Sequence, residues 1–128
     1  MKPNFRAWDK YNKKMLSVKS IHFMDNVEFF GPYTIVVKPM GFISSEFIEL
    51  MQSTGLKDKN GVEVFEGDIV DGTYPNGKHF RGVVQYDDES AAFVCKTINS
   101  WMHSTMLNCR NCEVIGNIWE HPELLERS

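Results

Sequence analysis

Thr54-Gly55-Leu56-Lys57-Asp58-Lys59-Asn60-Gly61-Val62-Glu63-Val64-Phe65-Glu66-Gly67-Asp68-Ile69-Val70 is the stretch that decides the fold. Asn60-Gly61 is a strong hairpin signal, because both residues tolerate the positive φ that a tight turn between twisted strands requires. It predicts a strand over residues 47–53 pairing with Glu63-Val64-Phe65. Glu66-Gly67-Asp68 then reads as a second tight turn into a strand through Ile69 and Val70.

Working outward, the same alternation with turn punctuation continues. His79 to Tyr86, Ala92 to Thr97 and Glu113 to Glu120 read as strands, separated by Tyr74-Pro75-Asn76-Gly77-Lys78 and by the acidic turn Asp87-Asp88-Glu89-Ser90. Upstream, Phe5-Arg6-Ala7-Trp8 and Met15 to Phe23 form a hairpin about the polar stretch Asp9 to Lys14. Val27 to Phe30 and Tyr33 to Lys38 are further strands. Phe42 to Met51 fits either period, and strand is preferred from Glu46 onward because a hairpin turn follows. His121-Pro122-Glu123-Leu124-Leu125 reads as a closing helical turn, with proline at its first position. Short strands at regular spacing indicate a small barrel or sandwich. The expected architecture is mainly β: an N-terminal β lobe over residues 1–46, then residues 47–128 as a small barrel, spanning roughly 47–120, with a short C-terminal helix.

At 128 residues the chain is long enough to bury a core without metal or disulfide help. No apolar run approaches a membrane span and the first residues lack the apolar centre of a signal peptide, so a cytoplasmic location is expected. Residues 1–19 carry six basic side chains against Asp9 alone, which makes that segment +5 and, with the whole at −3, the remainder −8. An acidic body argues against coating a duplex, while a basic end leaves a local phosphate contact through Arg6, Lys13 and Lys14.

Cys109-Arg110-Asn111-Cys112 has metal-ligand spacing, and Cys95 and His103 lie near enough upstream to complete a Cys3His site. Against zinc stand the single CxxC pair and the placement of Cys95 in an ordinary strand, so the cysteines read better as small apolar fillers. Asp58, Glu63, Glu66 and Asp68 cluster in sequence and read as solvated turn residues. The four histidines are scattered, and no nucleophile elbow, zinc-protease helix or phosphate loop is present. Neither catalysis nor a cofactor is expected. The apolar middle segment, Phe29, Phe30, Tyr33, Ile35, Val36, Val37 and Phe42, reads as a protein interface.

Three separated blocks carry a family likeness: Phe5-Arg6-Ala7-Trp8-Asp9 with Asn12-Lys13-Lys14-Met15; Thr54 to Gly61 with Phe65-Glu66-Gly67-Asp68-Ile69-Val70; and Glu113-Val114-Ile115-Gly116-Asn117-Ile118-Trp119-Glu120-His121-Pro122-Glu123-Leu124-Leu125. Together they resemble the YopX family of phage and prophage proteins. The resemblance implies an SH3-like barrel in the C-terminal part, a β N-terminal part, a phage or prophage source and a tendency to form homo-oligomers. It supplies no biochemical activity, and Ser20 to Phe47 matches none of its motifs. Physically, these blocks read as scaffold. The resulting expectation is a binding or assembly protein acting through protein–protein contacts with copies of itself or a host protein. Two alternatives are a counter-defence factor that holds a host nuclease or a signalling nucleotide, and a barrel that binds single-stranded nucleic acid.

Overall fold

The computed structural model describes residues 4–23, 33–37, 41–98, 104–106 and 109–126. The expected strand over Val27 to Phe30 lies outside these residues. The chain divides into two units, Met1–Gln52 and Ser53–Ser128, so the boundary falls six residues beyond the one read from sequence.

In the N-terminal unit, β1 (Phe5–Asp9) and β2 (Lys14–Phe23) form the expected hairpin, with Ala7 opposite Leu16. β3 (Tyr33–Val37) adds to β2, and β4 (Phe42–Ser44) adds to β3 as the outer strand. A 3-10 turn, Ser45–Phe47, precedes β5 (Ile48–Lys57), so the strand starts two residues later than Glu46. One face of this sheet forms the core: Ala7, Ile35, Val37 and Ile48 are buried, with Leu16, Val18, Ile21 and Leu50 packed against them. The period-two spacing of residues 33, 35 and 37 brings their side chains to one face. Each fully buried aliphatic side chain contributes about 1.5–3 kcal/mol, which is how five-residue strands hold their register.

β5 is ten residues long and serves two partners. Residues 48–52 pair with β1, and residues 53–57 pair with β6 (Glu63–Phe65). The hairpin across Asn60-Gly61 therefore exists, but it is built from Ser53 to Lys57 rather than from residues 47–53.

In the C-terminal unit, β7 (Asp68–Thr73), β8 (His79–Asp87), β9 (Ala92–Thr97), β10 (Ser104–Met106) and β11 (Cys112–Asn117) form one antiparallel sheet in the order β10-β9-β8-β7-β11. Its core is Val64, Val70, Phe80, Val84, Cys95 and Cys112, with Tyr74 and Val114 partly buried against them. Two glycines permit the close packing. A Cβ at Gly82 would stand 2.5 Å from both the Cys95 sulfur and the Lys96 carbonyl oxygen, and one at Gly72 would overlap the Phe80 ring.

Two expectations are corrected here. The sheets do not close into a barrel: β10 and β11 are the edges of an open sheet, and β6 pairs with β5. Strand count and spacing carry no information on whether two edges meet, which closure requires. At β11 the edge is met by the β5–β6 tip instead, where the Lys59 N–H donates to the Cys112 carbonyl at 3.1 Å. The closing helix is a single 3-10 turn, Pro122–Leu125, after which Glu126 returns to extended backbone.

Candidate functional site

The residues with the most developed polar geometry sit at the turns. Asp58, 5% exposed, places one carboxylate oxygen 2.8 Å from the Asn60 N–H and 2.9 Å from the Val62 N–H, and the other 2.9 Å from the Val114 N–H. Gly61, at φ +83°, is what lets the chain fold back around it. Burial alone would raise this carboxyl. The donors from Val114, Val62 and Asn60, helped by Lys59, outweigh burial and hold it below the usual carboxylate range. One side chain thus closes its own turn and binds the edge of β11.

Three other turns use the same device. Asp68, 2% exposed, accepts the Phe65 N–H at 2.8 Å across the turn that Gly67 makes at φ +84°. Asp9 accepts the backbone N–H groups of Tyr11 and Asn12 and the Asn12 amide. The Asn12 backbone donor is the main cause that lowers its pKa. Asn117 accepts from Trp119 and Glu120 N–H while its own N–H donates to His121 Nδ1 at 3.2 Å, and a Cβ at Gly116 would lie 2.6 Å from that nitrogen. Asp58 and Asp68 are therefore not solvated turn carboxylates. They are buried and committed to backbone donors, because unpaired N–H groups inside a turn are costly.

Two of the three cysteines, Cys95 and Cys112, lie in the apolar core of the C-terminal unit. Cys95 on β9 and Cys112 on β11 are each 1% exposed and neither is in a disulfide, and burial pushes the Cys95 thiol up to about 12. Such a thiol is neither a nucleophile nor a ready metal ligand at neutral pH. His103 lies outside the described residues, and among the described residues no group of three or more His, Cys, Asp or Glu side chains is placed to hold a metal ion.

The interface residues read from sequence divide. Ile35 and Val37 belong to the core of their own unit, Tyr33 and Val36 are half-buried, and Phe42 is 77% exposed on the outer strand β4, opposite Val36. Phe29 and Phe30 lie outside the described residues. Phe23, 81% exposed at the end of β2, lies opposite Tyr33 with the rings 6.2 Å apart. Of the basic residues, Arg6 is half-buried within β1, while Lys13, at φ +57°, and Lys14 stand exposed at the β1–β2 turn. Tyr11 beside them is 84% exposed.

One pairing was not foreseen. Arg81 on β8 donates to both oxygens of Asp71 on β7, at 2.6 and 3.1 Å, and its third contact is to the Leu124 carbonyl at 3.2 Å. It fastens the 3-10 turn to the sheet. No helix among the described residues is long and apolar enough to cross a membrane.

These features define a two-unit, mainly β protein of antiparallel sheets whose turns are fixed by buried polar side chains. The sequence matches the YopX protein family over residues 4–126, so the chain belongs to that family. Among solved structures it is similar to protein EF1440 from Enterococcus faecalis, with 33% identity over 98% of this chain and 99% of that one at a TM-score of 0.62. It is also similar in fold to protein YopX from Bacillus subtilis, with 19% identity over 96% of this chain and 98% of that one at a TM-score of 0.59. The comparison with curated proteins returned no match.

Proposed function

We propose that the chain is a non-enzymatic, phage- or prophage-encoded assembly protein, working in the cytoplasm of a bacterial host through protein–protein contacts, first of all with copies of itself. The observation that carries this reading is Phe42, 77% exposed on β4, the outermost strand of the N-terminal sheet among the described residues. A large apolar side chain on an outer strand is what a natural sheet avoids unless another surface covers it. Half-buried Val36, directly opposite on β3, shares the face of Phe42, while Phe23, 81% exposed, and half-buried Tyr33 form a second apolar pair on the other face. The buried carboxylates and the Cys95 thiol support the same reading, since each is committed to turn closure or core packing.

The test is the molar mass in solution, by size-exclusion chromatography with light scattering, of the wild type and of Phe42→Asp. The wild type is expected as a defined multimer, and the variant at a lower mass with unchanged circular dichroism, because Phe42 lies outside the core. A wild-type multimer whose mass survives Phe42→Asp would remove this surface from the interface.

A further inference from the structure

Two hairpin tips of the chain are oppositely charged projections held by internal hydrogen bonds, one with an exposed tyrosine in its turn and the other with one at its base. The β1–β2 tip carries Lys10, Lys13 and Lys14, with Tyr11 84% exposed among them, and Asp9 holds its backbone through the Tyr11 and Asn12 N–H groups. The β8–β9 tip carries Asp87, Asp88 and Glu89. Its turn is held by the Ser90 hydroxyl, which donates to Asp87 at 2.7 Å, and by Ala91 at φ +53°. At its base Tyr86, 46% exposed, meets Phe93 edge-on at 5.4 Å between ring centres. Among the described residues no ion pair engages Lys13, Lys14, Asp88 or Glu89, so both tips present charge outward.

We infer that the basic tip of one copy docks on the acidic tip of a second copy, with Lys13 and Lys14 facing Asp88 and Glu89 and Tyr11 seated by the Tyr86–Phe93 pair. This rests on the reading of the chain as a self-assembling protein and names a contact that joins its copies. A second copy fits because it alone is certain to supply both complementary tips. Turns fixed by internal hydrogen bonds lose little freedom on docking, and opposed charges speed encounter and set register more than they add affinity. A contact between two different patches builds a closed ring where the rotation closes and an open chain where it does not.

The experiment is sedimentation velocity on the full chain at about 50 and 500 mM salt, with two double variants, Lys13→Glu/Lys14→Glu and Asp88→Lys/Glu89→Lys. All four positions are exposed, and circular dichroism checks that folding is kept. Each variant alone is expected to self-associate at least about tenfold more weakly than the wild type. An equimolar mixture of the two, whose tips are again complementary, is expected to re-form the wild-type species, and high salt to weaken both. A multimer that ignores both reversals, or two dissociated variants that stay apart when mixed, overturns the tip contact and leaves the assembly reading standing. A wild type that remains monomeric at every concentration overturns both. So does a monomeric wild type that binds a dT oligonucleotide through Lys13 and Lys14, because the basic tip then serves a polyanion.

Discussion

Replacing Asp58 by alanine removes the acceptor of three backbone N–H groups at once, those of Asn60, Val62 and Val114, all at 2.8–2.9 Å. A hydrogen bond to a charged acceptor is worth about 1.5–3 kcal/mol, and donors near a turn recover part of that from water. Asp58→Ala should then cost about 3–5 kcal/mol, a large share of the ~5–15 kcal/mol that holds a domain together. Asp58→Asn keeps one oxygen for the Asn60 and Val62 donors but sets its amide against the Val114 N–H, and should cost about 2 kcal/mol. Urea unfolding followed by tryptophan fluorescence measures both. At a slope near 2 kcal/mol per molar, the alanine variant moves the midpoint down by roughly 1.5–2.5 M. The pH dependence gives a second reading. The folded pKa lies below the unfolded value, so the unfolded state binds more protons as acid is added. This stabilisation is complete above the unfolded pKa of about 3.9 and is lost as pH falls through the folded value, so the gap between wild type and alanine variant should narrow below about pH 4. An alanine variant within about 1 kcal/mol of wild type, with a gap independent of pH, would refute the role assigned to this carboxylate.

Gly82→Ala should destabilise by about 1–3 kcal/mol, measured by the same urea midpoint, because its Cβ meets the Lys96 backbone as well as the Cys95 side chain. In a Cys109→Ser background, Cys95 and Cys112 should stay silent to a thiol reagent in the native state and both react after denaturation, since burial keeps both out of reach and raises the Cys95 thiol. Zinc bound by the folded protein and lost on Cys112→Ser would contradict that placement. Arg81→Ala should free the Leu124 carbonyl and raise amide hydrogen exchange in residues 121–126, while Arg81→Lys, which keeps the charge but not the two-pronged contact to Asp71, should restore only part of the protection.

Much of the strand pattern was legible because alternation and turn chemistry agree locally. Ala92 to Thr97 is a strand with the bounds read from sequence, and Asn60-Gly61 makes its hairpin. What escaped depends on partners distant in sequence. The pairing of residues 48–52 with β1 brings together segments some forty residues apart, and nothing in Ile48 to Gln52 names its neighbour. The burial of Asp58 follows from the Val114 N–H, which is 56 residues away. The alternation of Tyr33 to Val37 marked an apolar strand, but whether its faces meet core or partner is a question of three dimensions, and the core claimed Ile35 and Val37. Asp9, Asp58, Asp68 and Asn117 all fall within the three blocks that carried the family likeness. That likeness therefore reports how the turns are held, and the exposed surfaces on which the proposed function depends lie largely apart from it.

The most direct test of that proposal is native mass spectrometry of the untagged wild-type protein across a hundredfold dilution. A self-assembling chain gives one discrete multimer that falls to monomer only at the lowest concentrations. A monomer throughout, with the fold intact, would contradict the account.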